Sequence, residues 1–148
     1  MSLKHRLAAY AAFSCFALAS AGAIADDHAY TEGQVVSVGS IRTAYGHFDD
    51  YMKYLDTTWK TEQEAAKKAG YIVSYDVLTV NPRTENDPDI YLVVRYKDWA
   101  ALDGGLAKGD AIAKQVEGTL SAANQAAVDR GKIRRVLGSE RMQILNLK

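Results

Sequence analysis

The chain has 148 residues, of which 48% are hydrophobic, and it balances 18 Lys and Arg against 18 Asp and Glu. Its one cysteine, Cys15, excludes an intrachain disulfide. Charges of both signs are scattered along the sequence, so we expect no basic surface for nucleic acid.

The first 25 residues have the pattern of a secretory signal peptide. Lys4 and Arg6 give a basic start, residues 7–24 are apolar or small, and Ala23-Ile24-Ala25 supplies the small residues of a cleavage site. An uncleaved anchor would need roughly 20 apolar residues, and here Asp26-Asp27 follow a marginal run. We therefore predict a signal peptide over residues 1–25 and a periplasmic or secreted protein without stable membrane association.

The mature chain is predicted to be one small domain. Removing 25 of 148 residues leaves 123, the size of a single domain with one core. Without Lys4 and Arg6, the mature chain has 16 basic and 18 acidic residues, which gives a net charge near −2. We expect a flexible polar arm at residues 26–33 and the folded domain at 34–148.

The clearest predicted element is an amphipathic helix from Phe48 to Ala69. Apolar residues recur at every third or fourth position, acids fall early and lysines late. Gly70 follows where a left-handed cap would end the helix.

The other elements follow from alternating or helical spacing and from turn residues. The loop at 81–88 contains two prolines and should join an antiparallel pair of strands. In chain order the predictions are strand 34–43, the helix at 48–69, strands 71–80 and 89–96, a helix at 111–130 and strand 142–147.

This order predicts an α+β fold of the βαββαβ type. One four-stranded antiparallel sheet would carry two helices on one face. The strand at 90–96 is apolar on both sides, with Ile90, Leu92 and Val94 alternating with Tyr91 and Val93. Two helices cover only one face, and an uncovered apolar face usually marks a partner surface. We therefore predict a homodimer that pairs through the sheets.

Residues 48–75 and 90–99, taken together, resemble the dimeric α/β-barrel superfamily. The resemblance covers most of the mature chain as a pattern, without a diagnostic motif. It implies ferredoxin-like subunits whose sheets pack face to face. That superfamily includes cofactor-free monooxygenases, haem-degrading and haem-binding proteins, isomerases and stress-related domains, so it implies no single chemistry and leaves the cofactor unknown.

His47 is the candidate catalytic residue, because it lies where the first strand turns into the first helix. A histidine at that corner could act as a general base or contact a haem-like cofactor. The alternative is a helix-capping or solvated histidine. A ligand pocket between sheet and helices is predicted to draw on Arg42, Tyr45, Tyr51, Trp59, Tyr75 and Tyr91, although such aromatics more often serve core and interface packing.

Two further groups have weaker signals. Cleavage after Ala25 would put His28 third from a free amine, an arrangement that can bind Cu(II) or Ni(II) in a square plane. The alternative is coincidence, because this arrangement depends only on the position of one histidine. The acidic pairs Asp49-Asp50 and Glu62/Glu64 have the spacing of a solvated helix face, so we do not assign them as a catalytic dyad.

The sequence favours an exported homodimer that binds a small, partly apolar ligand between sheet and helices. Turnover, if present, would be a cofactor-independent oxidation or isomerisation. The alternative is a non-catalytic interaction or stress-related module whose aromatics serve only the dimer.

Overall fold

The computed structural model describes residues 28–148. The predicted signal peptide at 1–25 and the first residues of the predicted arm, Asp26 and Asp27, lie outside the described residues. Within residues 28–148, no helix combines the length and the apolar character needed to cross a bilayer.

A four-stranded antiparallel sheet forms the base of the domain. Its strands run in the spatial order β2-β3-β1-β4, and every neighbouring pair is antiparallel. The prediction of an antiparallel sheet, with the strands on either side of the 81–88 loop paired, is confirmed. The strands are β1 (Tyr30–Thr43), β2 (Ser74–Thr79), β3 (Ile90–Tyr96) and β4 (Arg134–Leu147).

The helices pack on one face of this sheet. The first helical segment is α1 (Phe48–Tyr54), a π-helical turn (Leu55–Trp59) and α2 (Lys60–Lys68). Gly70 follows with φ of 74°, the left-handed conformation predicted for it. After β3 come a 3₁₀ turn (Ala100–Leu102), α3 (Gly105–Glu117) and α4 (Leu120–Arg130). The α+β fold class is confirmed.

The predicted helix at 111–130 is wrong in its continuity, because two helices replace it. Gly118 has φ of 83° and ends α3. Thr119 then caps α4, since its hydroxyl oxygen accepts the backbone N–H of Ala122 at 3.0 Å. The Gly-Thr pair is an ordinary stop-and-start signal for helices.

The predicted arm is also corrected, since Tyr30 to Gly33 belong to β1. Tyr30 pairs with Leu147 and Glu32 with Leu145. A bulge follows between Glu32 and Val35, where a Cβ at Gly33 would lie 2.9 Å from the Asn146 side chain. Backbone pairing with β4, which also begins eight residues before the predicted Met142, holds this polar stretch in the sheet.

The core lies between the first helical segment and the sheet. Ile41, Tyr51, Leu55, Trp59 and Ile90 form one buried cluster. Tyr51, Leu55 and Trp59 are spaced by four residues. Side chains at this spacing move gradually around an α-helix, which has 3.6 residues per turn, but the wider π turn keeps these three on the face that packs against the sheet.

The opposite face of the sheet carries no helix. Side chains alternate between the two faces along a strand. The residues of β2 and β3 between those that pack on the core therefore point to this opposite face; the core-packing residues are Tyr75, Val77, Leu92 and Val94. Leu78 and Met142 on that side are 51% and 46% exposed. The outer face, as we call it, includes Val36, Val38, Leu78, Tyr91, Val93 and Met142.

Candidate functional site

A cavity of about 390 Å³ opens between α2, α3 and the inner face of the sheet. Its apolar lining comes from Ala66, Ile72, Ile112 and Ala113, with the rings of Tyr71 and Tyr96. Three charged side chains reach the same space: Glu62 from α2, Lys108 from α3 and Arg141 from β4. Apolar walls with a few convergent polar groups are typical of small-molecule sites. We call this space the helix–sheet cavity.

The two cations of the cavity have different surroundings. Lys108 donates from Nζ to the carbonyl oxygen of Ala101 at 2.8 Å and lies 5.5 Å from the centre of the Tyr71 ring. Burial raises the pKa of the Tyr96 hydroxyl, and the charge of Arg141 opposes that rise. The contacts with Ala101 and Tyr71 therefore hold Lys108 in place. The Lys108 ammonium group has three N–H donors, of which Ala101 uses one.

Glu62 is the titratable group with the most altered acidity in this cavity. Burial and the neighbouring Glu117 carboxylate raise the pKa of Glu62 to about 7, and Arg130 opposes the rise. This pair keeps a proton near neutral pH, because two adjacent carboxylates in a poorly solvated space resist ionising together.

A polar cluster of largely buried side chains lies next to Glu62. The Nη1 of Arg130 lies 4.0 Å from Oε1 of Glu117, and both side chains are largely buried. The guanidinium of Arg130 also stacks over the Tyr54 ring at 4.6 Å. Burial, followed by the nearby Glu62 charge, raises the pKa of the Tyr54 hydroxyl to about 12. Residues from α1, α2, α3 and α4 thus meet at one charged contact.

The sequence prediction of a solvated face is wrong for Glu62 and correct for Glu64. Glu62 follows Trp59 by three residues and precedes Ala66 by four, so it lies on the apolar stripe of the helix. Glu64 is exposed and accepts the Tyr75 hydroxyl at 2.6 Å. That hydrogen bond raises the pKa of Tyr75 to about 12. Position on the stripe was the signal that could have identified Glu62.

His47 lies at the start of α1 and lines neither of the two clefts described for residues 28–148. Its Nδ1 is 2.8 Å from Oδ2 of Asp50, and its side chain is 44% exposed. His28, at the beginning of the described chain, stacks on Tyr30 with 5.4 Å between ring centres. Within residues 28–148, no three His, Cys, Asp or Glu side chains cluster in a way that could hold a metal ion.

The residues predicted to form one ligand pocket are distributed over three places. Arg42 and Tyr45 line a second cleft at the end of β1. Tyr51 and Trp59 are buried in the core, and the Trp59 and Tyr75 rings meet edge to face at 5.3 Å. Tyr91 points to the outer face, since its neighbours Ile90 and Leu92 pack in the core. The sequence pattern alone could not group these residues in space.

Comparison with known proteins identifies the fold. No protein-family model matches the sequence, and no curated protein matches it significantly. HapK from Hahella chejuensis is similar in structure, with 13% identity, a TM-score of 0.50, and coverage of 73% of this chain and 90% of HapK. A dimeric ferredoxin-like protein from an uncultured marine organism has 15% identity, a TM-score of 0.51, and coverage of 76% and 96% respectively. The chain therefore has a ferredoxin-like fold.

Proposed function

We propose that the helix–sheet cavity binds a small, partly apolar molecule that carries an acidic or carbonyl oxygen. The observation that carries the proposal is the convergence of Lys108 and Arg141 on a space of about 390 Å³ that is also lined by apolar side chains and by Glu62. Apolar walls would bury the body of the ligand, and the two cations would bind its oxygen.

We further propose that Glu62 transfers a proton in a cofactor-independent isomerisation. As a carboxylate, Glu62 would accept a proton from a carbon beside the ligand carbonyl, and the electron pair would move to the carbonyl oxygen as an enolate. Lys108 or Arg141 would stabilise that oxygen. If the ligand is a β,γ-unsaturated carbonyl compound, the enolate is conjugated with the carbon–carbon double bond. Return of the same proton to the γ carbon then gives the α,β-unsaturated isomer and needs no oxidant. A pKa of about 7 suits a group that accepts and returns a proton near neutrality.

We propose that the working protein is an exported homodimer. The apolar start of the sequence supports export. The outer face, with Leu78 and Met142 about half exposed, supports pairing through the sheets. The similar marine protein is itself described as dimeric.

A cavity-filling substitution tests ligand binding. Gly109 lines the cavity from within α3, and a Cβ added there meets no atom within 4 Å. Gly109→Leu should therefore fold normally while occupying the space of the ligand. Titration with 1-naphthoate, followed by NMR, should show saturable shifts at Ile112 and Ala113 in the wild type and loss of binding in Gly109→Leu.

Gly109→Ala is the matched control, because it changes the same position with one methyl group and should still bind 1-naphthoate. Absence of saturable binding in the wild type, or full binding in Gly109→Leu, would overturn the proposal. Either result would favour the alternative function, a non-catalytic interaction module that uses the outer face.

A further inference from the structure

A second cleft, of about 670 Å³, lies where β1 ends and β4 begins. Its walls are formed by residues 42–46 and Phe48, by parts of the connection between β2 and β3, and by Gly131 with the first residues of β4. We call it the arginine cleft, because Arg42, Arg134 and Arg135 all line it. It shares no lining residue with the helix–sheet cavity.

The sheet register places the three arginines at the same end of the β1–β4 pair. Arg42 on β1 is directly opposite Arg135 on β4, and Thr43 is directly opposite Arg134. Like charges at directly opposed positions of an antiparallel pair are unfavourable. A bound anion would turn this unfavourable arrangement into a favourable one.

Two acidic residues, Glu85 and Asp89, line the cleft beside the three arginines, so its formal net charge is +1. Asp89 accepts the backbone N–H of Thr43 at 3.0 Å and also the Thr43 hydroxyl. Arg135 donates to the backbone oxygen of Glu85 at 3.3 Å, a neutral acceptor. Among residues 28–148, neither Arg42 nor Arg134 has a carboxylate within 4.0 Å.

Arg134 has a further unmet requirement. Its guanidinium lies near the buried Tyr51. Burial raises the pKa of the Tyr51 hydroxyl, and the charge of Arg134 opposes that rise. Its Nε is buried and has no hydrogen-bond partner among the described residues. Buried donors of this kind are normally paired, and an unpaired one is a reason to expect a ligand or water.

We propose that the arginine cleft binds a phosphate monoester with a small aromatic or apolar body. The planar guanidinium fork matches the oxygens of a phosphate group, and the forks of Arg42 and Arg135, which are directly opposite on paired strands, can bind it together. The fully exposed ring of Tyr45 and the 40% exposed ring of Phe48 lie at the same cleft and would contact the organic part. This proposal is independent of Glu62 and of the helix–sheet cavity.

Calorimetric titration with phenyl phosphate tests the proposal on the mature protein. We expect saturable binding in the wild type, no binding of phenol, and binding weakened by about tenfold or more in Arg42→Gln and Arg135→Gln. Arg83→Gln is the matched control, because Arg83 lies in the same β2–β3 connection but does not line the cleft. Its affinity should equal that of the wild type.

Two results would overturn the proposal. One is the absence of saturable phenyl phosphate binding in a protein whose circular dichroism shows it to be folded. The other is evidence of general charge attraction rather than a site, which would be either equal weakening in Arg83→Gln and Arg42→Gln or displacement of phenyl phosphate by an equal concentration of chloride.

Discussion

At the scale of single residues, environment rather than residue type separates two glutamates on the same helix. Glu64 is exposed and accepts one hydroxyl hydrogen bond. Glu62, two positions earlier, is half-buried beside Glu117, which raises its pKa to about 7. Two positions along a helix are enough to change a solvated carboxylate into a group that holds a proton near neutral pH.

Glu62→Gln should therefore flatten the dependence of stability on pH. The folded state of the wild type binds the Glu62 proton more tightly than the unfolded state, whose pKa is near 4.5. Stability due to this group is present below pH 4.5 and is lost as the pH rises toward 7. After allowance for solvent screening the loss is about 1 kcal/mol, or a few degrees in Tm. Thermal unfolding from pH 4.5 to 8 measures it.

The same variant tests proton transfer. If Glu62 is the base, exchange of deuterium from solvent into 2-tetralone should accelerate as the pH rises through about 7 in the wild type and fall to the buffer rate in Glu62→Gln. Glu64→Gln should keep the wild-type rate. Loss of exchange in His47→Ala instead would move the base to His47.

At the scale of elements, short local signals control where the helices bend and break. Thr57 and Thr61 donate to the carbonyl oxygens of Lys53 and Thr57 at 2.8 and 2.7 Å, alongside the π turn. Gly118 and Thr119 separate α3 from α4. The break matters to the site, because Glu117 and Arg130, at the ends of these helices, then lie 4.0 Å apart.

Thr119→Ala should destabilise the protein by about 1 kcal/mol, because α4 loses the side-chain acceptor for the Ala122 N–H. Urea unfolding monitored by circular dichroism measures the change in the free energy of unfolding. Thr119→Ser keeps the hydroxyl and should remain close to the wild type. An unchanged midpoint in Thr119→Ala would mean that the cap contributes nothing to α4.

At the scale of the whole molecule, the sheet has one face occupied and one face free of helices. The inner face holds the core and the helix–sheet cavity, whereas the outer face carries Val36, Val38, Tyr91, Val93 and the ion pair between Arg95 and Asp76. A second copy of the chain would bury both the apolar residues and this charged pair.

Native mass spectrometry of the protein from the exported fraction of its host should give a dimer whose chains begin at Asp26. Leu78→Glu places a charge on the outer face and should shift the protein to monomer. Leu106→Glu is the matched control, because Leu106 is 84% exposed on α3, away from the outer face, and should leave the dimer intact. A monomeric wild type would contradict the dimer, and retention of residues 1–25 would contradict export.

Sequence periodicity alone was sufficient to predict the order of elements, the antiparallel pairing and the two apolar faces of β3. These features depend on contacts between near neighbours or on simple alternation. The length of β4 was not predictable from this pattern, because Arg134 to Arg141 are mostly exposed and hold their strand conformation through backbone pairing with β1.

The residues of the helix–sheet cavity and of the arginine cleft could not be grouped from the sequence. Glu62, Lys108 and Arg141 are separated by long stretches of sequence, as are Arg42 and Arg135, and only strand register and helix packing bring each group together. The spacing of apolar and charged residues can be read directly from the order of residues, so the sequence determined the fold class and the outer apolar face. The acidity of Glu62 and the clustering of arginines depend on desolvation and on neighbours distant in sequence, and the tertiary structure alone decided them.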